Sequence, residues 1–465
     1  MSYSFQKTYT LSPQSPLIHF QPNAKGVSLR STEVKPKLDR FLKLRYERRN
    51  GKSVPAVWYV SSAKKQKEPA KKKAPALKYK ISLEQIKVEK EVELGSKTDY
   101  DIFYGNMVSK EEKEKPRSEP ITPKRGLFIR EKLTVTCLNK ELLQWIDDNI
   151  GDFFIVTNFG TMQNKGFGSF IVHEKEKDIV QENGDVSASR IASTLKEHYG
   201  AGHCYCFDSD EENTFVRIKT VYSLMKSGIN MGKGKGKGSR NYIRSFLFDY
   251  MHSKLSPKKA IDNEKAWLKE QKIAPAVKKD GFNFVKKTKN GKEKVVKIPR
   301  FIPDPVKPAS DTNYKYVRAL FGIGESIRFN DVNKDDGDSN TVNVSVEHDY
   351  GADKMKKEDR IARIPSPVFF KIVKGCVFFL GIPVNESVYG KTFSFSSEMG
   401  KMTLKSPGKS DLPDDFMDDF MDYCYRRLKD VIAHRTGTFI NKKGEPQYKE
   451  SAFGCLDGMM LREEG

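Results

Sequence analysis

Residues 158–169, NFGTMQNKGFGS, carry the side-chain types that grip a nucleic-acid backbone without cutting it. Gly160, Gly166 and Gly168 can adopt positive φ and turn N–H groups toward a phosphate, Lys165 adds a charge, and Phe167 offers a face for a stacked base. The competing reading is a tight glycine turn with Phe167 in the core. Residues 26–40, GVSLRSTEVKPKLDR, form a second candidate. There a polar turn runs into a helix whose first N–H groups favour an anion, among Arg30, Lys35, Lys37 and Arg40. An exposed basic helix face is the plainer alternative. A third is the run 231–244, MGKGKGKGSRNYIR, with Lys233, Lys235, Lys237, Arg240 and Arg244, read as a disordered loop facing nucleic acid. It is not a P-loop, because Gly238 separates Lys237 from Ser239.

Other clusters point to less. His198, His203, Cys204 and Cys206 are metal-ligand types, but one C-x-C pair without a second departs from structural-zinc spacing, and strand cysteines are expected instead. In residues 331–342, DVNKDDGDSNTV, the glycine falls one place too late for a calcium loop, and Val342 stands where the bidentate Glu belongs. No metal, cofactor or catalytic group is implied.

These candidates sit in a chain of 465 residues with 83 Lys and Arg against 61 Asp and Glu, a net charge of +22. A field of that sign draws polyanions, which makes nucleic acid the leading partner class ahead of a membrane surface or a ribosome. No run reaches the ~18 apolar residues of a membrane span, and the first twenty residues lack a signal-peptide core, so a soluble cytoplasmic protein is expected. Six scattered cysteines fit reduced thiols.

The elements that must position the candidates read as α+β. Val34, Leu38, Phe41 and Leu42 predict a helix starting between Glu33 and Lys35, with Pro36 in its first turn. Residues 127–138 alternate as a strand, followed by a helix capped by Asn139 that stops by Gly151, then strands at 153–157 and 166–173. Further along come a helix at 186–199, strands at 214–222, 342–348, 368–373 and 376–380, and a hairpin turn at Lys374 and Gly375. An amphipathic helix with Phe416, Phe420, Cys424, Leu428 and Val431 on one stripe closes the chain. The Lys-, Ala- and Pro-rich segments near 61–80 and 108–125 read as disordered basic insertions. Two domains are expected, 1–225 and 226–465.

Three of these stretches together resemble the RAMP superfamily of CRISPR proteins. LRSTEVKPKLDRFL is similar to its LRASSxKGxLRxWxRA stretch, and NFGTMQNKGFGSFIV to its GGxGxRxRRGFGS loop. RIPSPVFFKIV at 363–373 is similar to an R-x-x-SP-strand segment of the large two-domain RAMP subunit of the type III-B Cmr complex. The sequence departs at Lys35-Pro36, where the family has Lys-Gly, and at Asn164-Lys165, where it has an arginine pair. The resemblance implies two ferredoxin-like, RRM-like domains with basic insertions and a C-terminal helix. It implies a non-catalytic subunit of an antiviral ribonucleoprotein that contacts guide RNA (crRNA), target RNA and other RAMP subunits. Some RAMP relatives cut CRISPR repeat RNA with a histidine base, and His19 lies in the segment for that role. No Ser, Tyr or Lys partner can be assigned to it, so the endoribonuclease remains the alternative.

Overall fold

The computed structural model describes residues 5–18, 28–60, 75–94, 124–178, 187–208, 213–233, 240–254, 261–264, 267–268, 282–289, 292–299, 314–322, 326–329, 342–349, 365–397, 400–433, 439–440, 446–447, 454–456 and 458–464. They divide into two compact units. One comprises Met1–Val221, Val368–Pro383 and Leu428–Gly465, the other Tyr222–Pro367 and Val384–Arg427.

The first unit opens with β1 (Gln6–Pro13), α1 (Ser31–Asn50), β2 (Lys80–Leu94), β3 (Lys124–Thr136), α2 (Lys140–Val156) and β4 (Phe170–Val172). The strands pair antiparallel in the order β2-β3-β1-β4, the ferredoxin-like arrangement. Alternation sets the faces: Ile129, Glu131, Leu133 and Val135 of β3 are buried, while Lys132 between them is exposed. Helix α1 buries Val34, Leu38, Phe41, Leu42 and Arg45, and ends at Gly51 with φ 65° and its N–H on Glu47 O. It begins at Ser31, earlier than the sequence suggests, so Pro36 lies in the second turn.

Helix α2 corrects the reading of 139–157. Asn139 caps it through Leu142 N–H at 2.8 Å, but the helix runs through Gly151 to Val156, and the strand expected at 153–157 is its last turns. A helical glycine costs ~1 kcal/mol, whereas burying Phe153 and Phe154 gains several. The strand read at 166–173 shrinks to Phe170–Val172. Residues 75–80, counted with the first insertion, are ordered: Leu77 and Tyr79 are buried and Lys80 begins β2. The rest of that insertion, 61–74, and 108–123 of the second lie outside the described residues, as does His19, while Lys124 and Arg125, counted with the second insertion, open β3.

After α3 (Ala188–Tyr199) a second motif opens with β5 (Cys204–Asp208) and α4 (Thr214–Lys226). Residues 214–222 are therefore helical, not a strand. Val216, Lys219, Ser223 and Lys226 are its less buried positions, a spacing of three to four that the β-branched residues disguise. Next come β6 (Ile229–Lys233) and β7 (Arg240–Ile243), which pair as a hairpin, and β8 (Phe282–Lys289) and β9 (Lys292–Pro299), which pair as another. Then follow β10 (Ser326–Phe329), β11 (Val342–Asp349), β12 (Val368–Val373), β13 (Cys376–Gly381), β14 (Thr392–Ser397), β15 (Gly400–Lys405), α5 (Phe416–Ala433) and β16 (Leu461–Glu464).

Strands β12-β13-β5-β16 form an antiparallel sheet with the same order as the first, so the chain carries two ferredoxin-like motifs. The second opens at Cys204, upstream of the 225/226 division expected from the sequence. The hairpin turn falls at Lys374 and Gly375, both at positive φ. Helix α5 does not close the fold, because β16 follows it. In the second unit, β10-β11-β14-β15 form a further antiparallel sheet, and Tyr316 packs edge-on against Phe393 and Phe395 at 5.1 and 5.0 Å. No helix among the described residues is long and apolar enough to cross a membrane.

Candidate nucleic-acid interface

The start of α1 and the glycine loop meet through one ion pair. Glu33 and Lys37 are one helical turn apart and 2.9 Å from each other. Glu33 Oε1 accepts the Gly160 N–H at 2.9 Å, and Lys37 Nζ donates to Asn158 O at 2.9 Å and to Gln163 Oε1 at 2.7 Å. Lys37 also sits 4.8 Å from the Phe159 ring. Burial and the neighbouring Arg40 lower the Lys37 pKa, while Glu33 opposes the shift. Lys37 is thus a bolt between helix and loop. Arg30, which caps the helix without a side-chain bond, and Arg40 are exposed. Lys35 is turned elsewhere, to Asp39 at 3.1 Å and Leu77 O at 3.0 Å, over the Tyr79 ring.

The inner half of the loop is core. Phe167 is fully buried and stacks on Phe215 with ring centres 4.3 Å apart, so it presents no surface to a base. The glycine N–H groups are not open to a phosphate either: Gly160 donates to Glu33, Gly166 to Gln163 O and Gly168 to Pro16 O. The glycines serve close approach, since a Cβ on Gly168 would lie 2.0 Å from Phe159 O and one on Gly160 2.4 Å from Ile18 O. Lys165 is half-buried, its ammonium 5.7 Å from the centre of the Phe370 ring. Of the loop residues proposed from sequence, Gly160 and Lys165 stay near the surface, and Gly166, Phe167 and Gly168 do not.

Strand β12 holds this loop from below. Asn158 Nδ2 donates to Phe370 O at 2.9 Å, Ser169 Oγ to Ile372 O at 2.6 Å, and Phe370 N–H to Asn164 O at 3.2 Å. Lys371 is fully buried, and its Nζ donates to Phe154 O at 2.6 Å, Thr157 O at 3.0 Å and Asn158 Oδ1 at 3.2 Å. Desolvation drives its pKa well below the ordinary lysine value, against the stabilising end of helix α2. Sequence reasoning missed Glu33, whose signal was its i,i+4 spacing to Lys37, and Lys371, which an apolar strand hid.

The remaining candidates separate. Lys233 pairs with Arg240 across β6 and β7, so the flanks of the glycine–lysine run are strands, while Lys235 and Lys237 lie outside the described residues. Arg244 Nε lies 3.4 Å from Asp249. His198 packs on Phe41, and burial beside Arg48 and Arg45 lowers its pKa to about 4. Cys204 and Cys206 are buried, with thiol pKa values raised by that burial, and no group of three potential metal ligands occurs among the described residues.

Family comparison accounts for most of the chain. A Cmr1 N-terminal domain family matches residues 4–229 and a Cmr1 C-terminal domain family residues 242–444. The chain belongs to the Cmr1 family. A Cmr1-family protein is the two-domain RAMP subunit of the type III-B CRISPR Cmr complex, which makes the other subunits of that complex its partners. No curated protein matches the chain. In this Cmr1-family chain the N-terminal match spans the first motif together with β5 and α4, and ends in β6.

Proposed function

We propose that the chain is a non-catalytic RNA-binding subunit of the type III-B Cmr complex, contacting guide RNA, target RNA or both in cytoplasmic antiviral defence. The observation that carries this reading is the exposed pair Arg30, at the N-cap of α1, and Arg40, on the helix, with α1 tied to the glycine loop by Glu33 and Lys37, in a chain of net charge +22. Arginines on a fixed helix hold phosphates at set positions without reading bases, which suits a guide whose sequence varies. Lys37 and the loop set the geometry; they do not supply the grip.

A salt titration of single-stranded RNA binding tests the reading. Each phosphate contact contributes about 0.7 to the slope of log K against log salt, so Arg30→Ala with Arg40→Ala lowers the slope by about 1.4 with unchanged melting. An unchanged slope removes these arginines from the interface. Labelled repeat RNA incubated with the chain stays intact with or without magnesium. Cleavage abolished by His19→Ala would establish the endoribonuclease instead.

A further inference from the structure

Strands β8 and β9 form a two-stranded antiparallel sheet that no third described strand joins. Residues 282–299 contain six lysines and one glutamate, so the hairpin is strongly cationic in its own right. The register sets Lys289 opposite Lys292 and Lys287 opposite Lys294. Directly opposed positions fall on the same side of the ladder, and every second position returns to it, so positions 287, 289, 292 and 294 share one register face of the hairpin.

Two successive rungs of like charge destabilise a pairing, and an isolated two-stranded hairpin is marginal in water to begin with. A sequence that concentrates repulsion there works against its own hairpin unless anions meet that face. The quartet's spacing suits a polyanion: lysines two residues apart on a strand are about 6.7 Å apart, comparable with neighbouring phosphates along a nucleic-acid strand. Ammonium groups on flexible stems act as point charges and need no fixed phosphate orientation.

We propose that this lysine face is an RNA-backbone contact in the second compact unit, taking successive phosphates of a single strand irrespective of sequence. It rests on the RNA-binding reading above and adds a site to it. The test uses the full chain and a fluorescent single-stranded RNA of mixed sequence. Replacing Lys287, Lys289, Lys292 and Lys294 by Gln lowers the salt slope by about 3 units, four contacts at about 0.7 each. Affinity near 0.1 M salt then falls at least tenfold. The same four positions changed to Arg keep the parent slope. A control with Lys52, Lys80, Lys132 and Lys140 changed to Gln removes the same net charge and also keeps it. The hairpin proposal is overturned if the Gln quadruple binds like the parent, or if the control loses as much. A parent chain with no salt-dependent RNA binding overturns the broader reading and this one with it, whereas a binding parent and an unaffected hairpin variant sink the hairpin alone.

Discussion

Phe167 is the residue for which the two readings of the glycine loop make opposite forecasts. As a base-stacking group it would give up about 1–3 kcal/mol of RNA binding on truncation and leave the fold intact. As found, it is fully buried and stacked on Phe215, and the Gly166 beside it packs against Ile372 and Ile218. Deleting a buried phenyl costs 3–5 kcal/mol, part of it the ring pairing. Taking about 4 kcal/mol, and about 2–4 °C per kcal/mol for a unit of a few hundred residues, Phe167→Ala lowers the first melting transition by about 8–16 °C. Phe167→Leu keeps most of the volume and loses chiefly the ring pairing, about 1 kcal/mol. Scanning calorimetry reads both, and RNA affinity measured well below the transition stays within twofold of the parent. If Phe167→Ala melts within 2 °C of the parent while RNA affinity falls tenfold, the ring meets a base and the burial argument is wrong.

Lys371 binds its proton less tightly when folded, so between its lowered pKa and 10.5 the unfolded chain holds more protons and stability rises with pH, by at most about 1.4 kcal/mol per unit. Urea melts at pH 8 and 10 show that rise in the parent and lose it in Lys371→Met; equal slopes would falsify the desolvation argument. Glu131, buried with one oxygen on Leu29 N–H at 2.6 Å, has its pKa raised by burial from 4.5 to about 7. The folded state holds this proton where the unfolded chain releases it, so stability is greatest below pH 4.5 and declines as pH rises through 7, by about 3 kcal/mol in all. Glu131→Gln abolishes that decline in chemical melts across pH 4.5–8, and a persistent decline assigns it to another group. Gly51→Ala has open space around the new Cβ and costs about 1–2 kcal/mol from its positive φ alone, whereas Gly168→Ala meets Phe159 O and costs more than twice that; equal melting temperatures would contradict the close-approach argument.

Local chemistry made some elements readable. Asn139 caps α2, Lys374 and Gly375 turn a hairpin, and Val34 through Leu42 mark the buried side of α1 because each follows from neighbouring residues alone. The failures came where tertiary packing outweighed a local signal. Gly151 reads as a stop, yet the helix continues because Phe153 and Phe154 gain more from burial than the glycine loses. The run from Thr214 to Tyr222 has strand-forming residues at helical spacing, and β16, LREE, is too short and polar to announce an edge strand. At the site, residue types were legible and their surroundings were not. Arg30, Lys37 and Arg40 were singled out from charge, but whether Phe167 faced solvent or Phe215 depended on a partner 48 positions away, and the surroundings of Lys371 on carbonyls more than 200 away.

The strand order of the second motif has a consequence for biosynthesis. Strand β5 lies between β13 and β16, whose pairing partners start at Cys376 and Leu461. At about 5–20 residues per second, a ribosome takes roughly 13–50 s to pass from Asp208 to Leu461. The first motif can assemble once Val172 has emerged, while Cys204–Asp208 waits with both strand edges unsatisfied. Nascent chains of this protein are therefore most vulnerable to misassociation in the middle of translation, after half the architecture is already in place.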